Sequence, residues 1–350
     1  MGSRTDLKGL TLEELEAFVE AAGEPKYRAA QIAAWIHPRG ITDFGRMTDL
    51  SLDLRSRLAE VATITAAEVV GVARSKVDGT EKLLLGFDDG EQVEVVILRD
   101  GSRTTACVST QVGCRYACTF CATGQMGFSR NLTASEIVEE IIAVRRHLDP
   151  GRLDNVVFMG MGEPLDNYEA TMRAVAIANA KWGLGVGARR MTISTAGHVP
   201  GILRLADEGL QVRLAVSLNA ADQRLRSLIM PIAERYPLDR LVEAIRTYRE
   251  RSGRRVTLEY VLLGEINDSP EDAEKLGQLA RSLLGKVNVI CYNEISGAGY
   301  SSPREEVAER FVALVRRRCP TVVRRVSRGA DIAAGCGQLW VESRNERKSR

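Results

Sequence analysis

The sequence predicts an α/β fold: a partial (βα)6-type barrel preceded by an accessory region of helices and β-hairpins. Three observations predict it. The first sixty residues carry helical spacing with capping signals, and residues 65–98 switch to β patterns broken by tight turns. After residue 103, short β-rich segments alternate with amphipathic helical ones. Strands joined by helices pair in parallel through right-handed crossovers. Six or seven such units in a row point to a barrel or partial barrel more than to an open, doubly wound sheet.

The elements follow in order. "TLEELEAFVEAAG" has a Thr cap, a Glu three residues on and an apolar stripe ended by Gly23, and "YRAAQIAAWI" and "LSLDLRSRLAEV" continue with helical spacing. "AEVVGVARS", "TEKLLLGF" and "EQVEVVILRD" read as strands separated by the hairpin turns "KVDG" and "DDGE". The barrel strands are expected in 104–110, 155–161, 190–196, 212–219, 255–263 and 286–293, with a seventh in 321–327. "TASEIVEEIIAVRRHL" is a helix opened by a Thr133–Glu136 capping box. The expected divisions are 1–95 for the accessory region, 96–300 for the barrel and 301–350 for a C-terminal extension.

Composition narrows the class. Of 350 residues 45% are hydrophobic, 27% charged and only 5% aromatic, which is ordinary for a globular protein too long for one average domain. No apolar run approaches the roughly 20 residues of a membrane span, and "MGSRTDLKGL" has no stretch suited to a secretory signal. A cytoplasmic, membrane-free protein is expected. Seven unevenly spaced cysteines then read as metal or redox chemistry, not as a disulfide framework. The net charge of +2 conceals two arginine clusters, "RTYRERSGRR" (246–255) and "RRRCPTVVRRVSR" (316–328). Both suit phosphate contacts, and both suit a solvated helix end followed by an edge strand.

Barrel enzymes place working residues where strands end and loops begin. The first barrel strand ends in "STQVGCRYACTFCATG", so Cys114, Cys118 and Cys121 lie in the first βα loop at spacing C-x3-C-x2-C. A structural zinc site wants four ligands. The nearest histidine, His147, lies near the end of the following helix, and Cys107 sits seven residues upstream in a strand. Iron–sulfur clusters take one thiolate per iron, so three cysteines on a [4Fe–4S] cube would leave one iron open to a small molecule. An iron–sulfur site, a zinc site and a metal-free cysteine loop all remain open on spacing alone.

The triplet, with an aromatic just before its third cysteine, resembles the radical S-adenosylmethionine (SAM) enzymes. "MGMGEP" (159–164), ending the second strand, resembles their loop for the cofactor's ammonium, with Gly162 and Glu163 as contacts. "ACVSTQVGCRYACTFCATGQMGFSRNLTASEI", "NVVFMGMGEPLDN", "MTISTAGHVPGI", "AVSLNA" and "RGADIAAGCGQL" together resemble one family over most of the chain: the bacterial rRNA and tRNA adenine-C2 methyltransferases, with their C8-methylating resistance relatives. The resemblance implies a radical SAM partial barrel, a [4Fe–4S] cluster on Cys114, Cys118 and Cys121, and two SAM molecules per turnover. It implies methylation of C2 of an adenosine in 23S rRNA and of the adenosine 3′ of certain tRNA anticodons. C2 lies between two ring nitrogens and is electron-poor, so a carbon radical can add where an ordinary methyl transfer cannot proceed.

By the same resemblance Cys336 carries the methyl group as S-methylcysteine, and a 5′-deoxyadenosyl radical removes a hydrogen from it. Cys107 then releases the product through a transient disulfide, and Glu94 is the general base. Ser194, Ser217, Leu218, Asn219 and Asn293 correspond to the family's cofactor contacts. The first 95 residues correspond to the accessory RNA-recognition domain, to which "EPKYRAAQIAAWI" would bring basic and aromatic contacts. An electron donor such as flavodoxin and a monomeric state complete the expectation. Two departures stand out: Cys291-Tyr292-Asn293 replaces the usual Pro-Trp-Asn, and Gly335 stands where alanine commonly precedes the carrier cysteine. Cys291 and Cys319 match no family role. Competing readings are C8 methylation, which uses the same cysteines, and a non-catalytic RNA-binding protein with structural zinc.

Overall fold

The computed structural model describes residues 4–295 and 297–340. Helices α1 (Leu12–Ala21), α2 (Tyr27–Ile36) and α3 (Leu52–Val61) form the N-terminal unit. Helix α1 opens on a capping box in which the Thr11 side chain accepts from the Glu14 N–H and the Glu14 carboxylate accepts from the Thr11 N–H. The apolar stripes bury Leu15, Val19, Ile32, Ile36, Leu54 and Leu58 in a core separate from that of the rest of the chain.

The remaining structure is built on one ten-stranded sheet: β1 (Glu68–Arg74), β2 (Glu81–Gly86), β3 (Gln92–Asp100), β4 (Arg103–Val108), β5 (Asn155–Phe158), β6 (Met191–Thr195), β7 (Arg213–Ser217), β8 (Thr257–Leu262), β9 (Lys286–Cys291) and β10 (Val322–Arg325). Spatial order follows chain order from β1 to β10. Strands β1 to β4 are antiparallel hairpins. Strands β4 to β10 are parallel, joined by helices such as α4 (Ala134–Leu148), which starts at the expected Thr133–Glu136 box. The partial-barrel expectation holds, with β10 as a seventh parallel strand.

The hairpins sit elsewhere than expected. Their placement with the N-terminal helices, ending at residue 95, runs through the middle of β3, which pairs with β4 from Val96 to Asp100. Leu83, Leu85, Val93 and Val95 belong to the barrel core. Alternation in a strand shows that one face is buried, not which sheet buries it. Here the hairpins extend the otherwise open β4 edge.

The C-terminal extension runs back from β10 to those hairpins. Arg328 donates to Arg99 O and, at 2.7 Å, to Asp100; the Gly329 N–H donates to Asp78 at 2.8 Å; Lys82 Nζ donates to Ala333 O at 3.0 Å. The segment thereby joins the two ends of the sheet.

Candidate active site

Beyond β4 the chain makes a short strand, Gln111–Gly113, paired with Phe128–Asn131, and the cysteine loop lies between them. Gly113 has φ +75°, and a Cβ there would collide with Gly127 O, so this position needs glycine. The Cys114 N–H donates to Gly127 O at 2.8 Å and the Cys121 N–H to Cys118 O at 3.1 Å. Tyr116 and Phe120 turn inward and pack with Ile229, Met230, Leu263 and Tyr292, which holds the loop at the strand ends.

A cavity of about 970 Å³ opens beneath it. Its walls include Cys114, Cys118 and Cys121, together with Cys107, Cys336, Gly162, Glu163, Ser194, Ser217 and Asn219. Glu94, Leu218 and Asn293 do not line it. Burial pushes the Cys114 thiol up to about 12 and the Cys118 thiol well above its ordinary value, and the neighbouring cysteines add to both effects. Thiolates here therefore need a cationic partner to be stable. Among the described residues no set of three or more histidine, cysteine or acidic side chains converges on a single ion. Three separate thiols on one wall match a multi-iron cluster, which takes one sulfur per iron. His147 is elsewhere, 2.8 Å from Glu81.

The loop after β5 is shaped by glycine. Gly162 has φ +94°, and a Cβ there would come within 2.5 Å of Gln111 Cβ. The Glu163 N–H donates to Gln111 Oε1 at 2.8 Å, while its carboxylate accepts from the Leu165 and Ala196 N–H groups at 3.1 and 2.7 Å. Burial raises the Glu163 carboxyl to about 7. Asn219, at φ 56°, accepts the Val261 N–H at 2.9 Å and so ties the β7 loop to β8. Asn293 packs so closely on Gly335 that a Cβ at 335 would collide with Asn293 Nδ2, which is the structural consequence of the Gly335 departure.

Beneath these loops lies Arg226, fully buried, donating to Leu218 O, Ala196 O and Ser217 O at 3.2, 2.6 and 3.4 Å. One guanidinium thus caps the ends of both β6 and β7. Arg226→Met is expected to cost about 3 kcal/mol, because one buried and two half-buried carbonyls lose a charged donor. Urea unfolding monitored by circular dichroism checks this; an unchanged midpoint would refute it.

The loop that holds Cys336 closes the cavity from above. The Ala122 N–H donates to Gly337 O at 2.7 Å and Thr123 Oγ1 to Leu339 O at 2.6 Å, seating residues 337–339 on the cysteine loop. Cys336 remains open to solvent within the cavity, whereas Cys107, in β4, is 9% exposed. Glu94 does not face this space. Its carboxylate pairs with Lys82 at 2.7 Å and accepts the Trp340 N–H at 3.0 Å, anchoring the C-terminal segment to β3.

The segment 108–277 matches the model of the radical SAM superfamily, and 5–64 matches that of the ribosomal RNA large subunit methyltransferase N-terminal domain. The chain is 47% identical, over 98% of its length and 99% of the relative's, to a probable dual-specificity RNA methyltransferase RlmN of Moorella thermoacetica. It is 45% identical, over 97% and 93%, to the dual-specificity RNA methyltransferase RlmN of Geobacter sulfurreducens. The chain belongs to the RlmN family of radical SAM RNA methyltransferases. A crystal structure of a radical SAM methyltransferase from Sphaerobacter thermophilus superposes with a TM-score of 0.92 at 46% identity, covering 97% of this chain and 100% of that one. Membership of the superfamily implies a [4Fe–4S] cluster and SAM, and membership of the RNA methyltransferase family implies RNA as substrate. No helix among the described residues is long and apolar enough to cross a membrane.

Among the cavity residues that escaped the sequence reading of this RlmN-family chain, two carry charge into its interior. Glu259 of β8 and Arg325 of β10 both face the lumen. Glu259 Oε1 accepts from Asn288 at 2.9 Å and Oε2 has no partner. The Arg325 charge favours the thiolate forms of both Cys107 and Cys336. A glutamate inside "TLEYVLL" was the available signal, since a charge amid an otherwise apolar strand rarely faces a core unpaired. Four of the clustered arginines have carboxylate partners within the chain: Arg251 with Asp207, Arg318 with Glu274, Arg324 with Glu305 and Arg328 with Asp100. Cys319 is buried near Gly285, and Cys291 is half-buried at the end of β9.

Proposed function

We propose that the chain methylates C2 of an adenosine in 23S rRNA and of the adenosine 3′ of certain tRNA anticodons, using Cys336 as methyl carrier. The observation that carries this reading is the meeting of Cys107 and Cys336 in the cavity walled by Cys114, Cys118 and Cys121, although more than two hundred residues separate the pair. Cys114, Cys118 and Cys121 would hold the cluster, with Gly162, Glu163, Ser194, Ser217 and Asn219 around SAM and Leu218 and Asn293 behind. When bound, the cluster and SAM supply one-electron chemistry that reaches unactivated C–H bonds.

The chain's own residues do the rest. Cys336 holds the one-carbon unit as S-methylcysteine on a loop whose flanking glycines allow it to move. Cys107 forms an S–S bond to Cys336 as the sulfur–carbon bond to the base breaks, and an external thiol later reduces the disulfide. Glu94 takes the C2 proton. Its carboxyl is raised by burial, a direction that suits a proton acceptor, and it reaches the base only if the C-terminal segment moves. Two SAM molecules are consumed per methyl group added.

One chain supplies every residue named, which supports a monomer, and seven unpaired thiols fit the reducing cytoplasm. A flavodoxin-type protein would deliver the single electron. Mass spectrometry of modified rRNA and tRNA against 2-methyl- and 8-methyladenosine standards tests the assignment. The 2-methyl isomer is expected in both RNAs; the 8-methyl isomer would overturn the regiochemistry.

A further inference from the structure

A second cavity, of about 610 Å³, lies where the N-terminal helical unit meets the barrel. It is walled by the turn after α2, the last turn of α4 and the loops at 149–154 and 184–187. Five arginines line it: Arg39, Arg145, Arg146, Arg152 and Arg190. Arg146 is paired with Glu139, and Arg152 and Arg190 share Asp154. Arg39 lies over the Trp35 ring at 3.9 Å, and Arg145 touches only Leu184 O, at 3.4 Å. Neither has a carboxylate partner among the described residues. An arginine in the last turn of a helix favours the helix dipole by itself, so the charge alone does not define a site.

His37 does. It is 1% exposed, lines this cavity, and neither of its ring nitrogens has a hydrogen-bond partner. Its ring stands edge-on to Trp182, 5.5 Å away. Buried polar groups are nearly always satisfied, and each exception calls for a missing partner. A neutral imidazole offers one N–H donor and one acceptor. Burial, with the Lys8 charge adding to it, holds His37 down to about 3 and so favours the neutral imidazole. A buried imidazole without a hydrogen-bond partner on the cavity wall, beside two guanidinium groups without carboxylate partners, describes an anion site. Arg152, Asp154 and Arg190 also line the reaction cavity, so the two spaces share a wall.

We propose that this seam cavity binds a backbone phosphate of the substrate RNA, away from the base being methylated, through Arg39, Arg145 and His37. Free inorganic phosphate would present the same chemistry. RNA is preferred because the cavity adjoins the reaction cavity of an RNA methyltransferase, and the proposal rests on that reading.

The test is an Arg39→Gln/Arg145→Gln double variant of the cluster-loaded, full-length protein. Melting temperature and cluster absorbance serve as folding controls. Affinity for transcribed tRNA is measured across a salt series. The variant is expected to bind roughly five- to tenfold more weakly, with a salt slope shallower by about one for each phosphate it no longer neutralises. KM for RNA should rise while kcat at saturating RNA stays unchanged. Wild-type affinity and slope in the variant, with no effect of inorganic phosphate on the melting temperature of either protein, overturn the site. If inorganic phosphate raises the melting temperature of the wild type alone, while both proteins bind RNA equally, the site is one for small anions and the RNA assignment falls. If the wild type binds no RNA at all, the methyltransferase reading fails first.

Discussion

A Cys336→Ala protein is expected to keep its cluster and its RNA affinity while losing methyl transfer by roughly a thousandfold or more, the usual cost of removing a nucleophile that forms a covalent intermediate. The fold should tolerate the change. The loop is held by its backbone, through Ala122 to Gly337 O, Thr123 to Leu339 O and Trp340 to Glu94, and none of these bonds involves the sulfur. Cys336 also faces open space, so its truncation leaves no packed void. Visible absorbance of the reconstituted protein and methyl incorporation into RNA read the two properties separately. Methylation near the wild-type rate would remove Cys336 from the carrier role. Loss of the cluster would show instead that the loop supports the cysteine triplet.

Cys107→Ala should fail differently, with RNA left covalently attached to the protein. Cys107 lies in β4 between Val96 of β3 and Val157 of β5, with its sulfur on the cavity side. Removing one sulfur there costs about 1 kcal/mol of packing, too little to unfold the chain. A protein–RNA band that survives denaturing electrophoresis, and disappears in a Cys107→Ala/Cys336→Ala double variant, is the expected result. Free methylated RNA produced at the wild-type rate would rule out the resolving role. In the wild type, burial raises the Cys107 thiol, with Cys336 and Glu140 adding to the effect, and Arg325 opposes it. Attack requires the thiolate, so release of the RNA should accelerate as pH rises through the alkaline range.

Much of the architecture was legible because period and punctuation are local. The Thr11 and Thr133 capping boxes opened helices where expected, and each expected barrel segment contains a strand of the parallel sheet. The partner of the hairpins was not legible. Alternating residues such as Leu83, Leu85, Val93 and Val95 announce a buried face, but the face that covers them belongs to strands far along the chain. The seam cavity escaped for the same reason, since His37, Arg145 and Arg190 share no sequence pattern and meet only in space.

By itself the sequence determined the make-up of the first loop, three cysteines at fixed spacing after a strand with two aromatics among them, and the order of motifs that marks the family. Short-range spacing survives folding unchanged, so it can be read directly. Tertiary structure decided which distant groups share a cavity. It brought Cys107 and Cys336 together with Arg325 and Glu259 in one lumen, and it turned Glu94 toward Lys82 and the Trp340 backbone, outside the cavity wall. Those outcomes depend on strand register and on the return of the C-terminal segment to the hairpins, and both are set by packing between residues hundreds of positions apart.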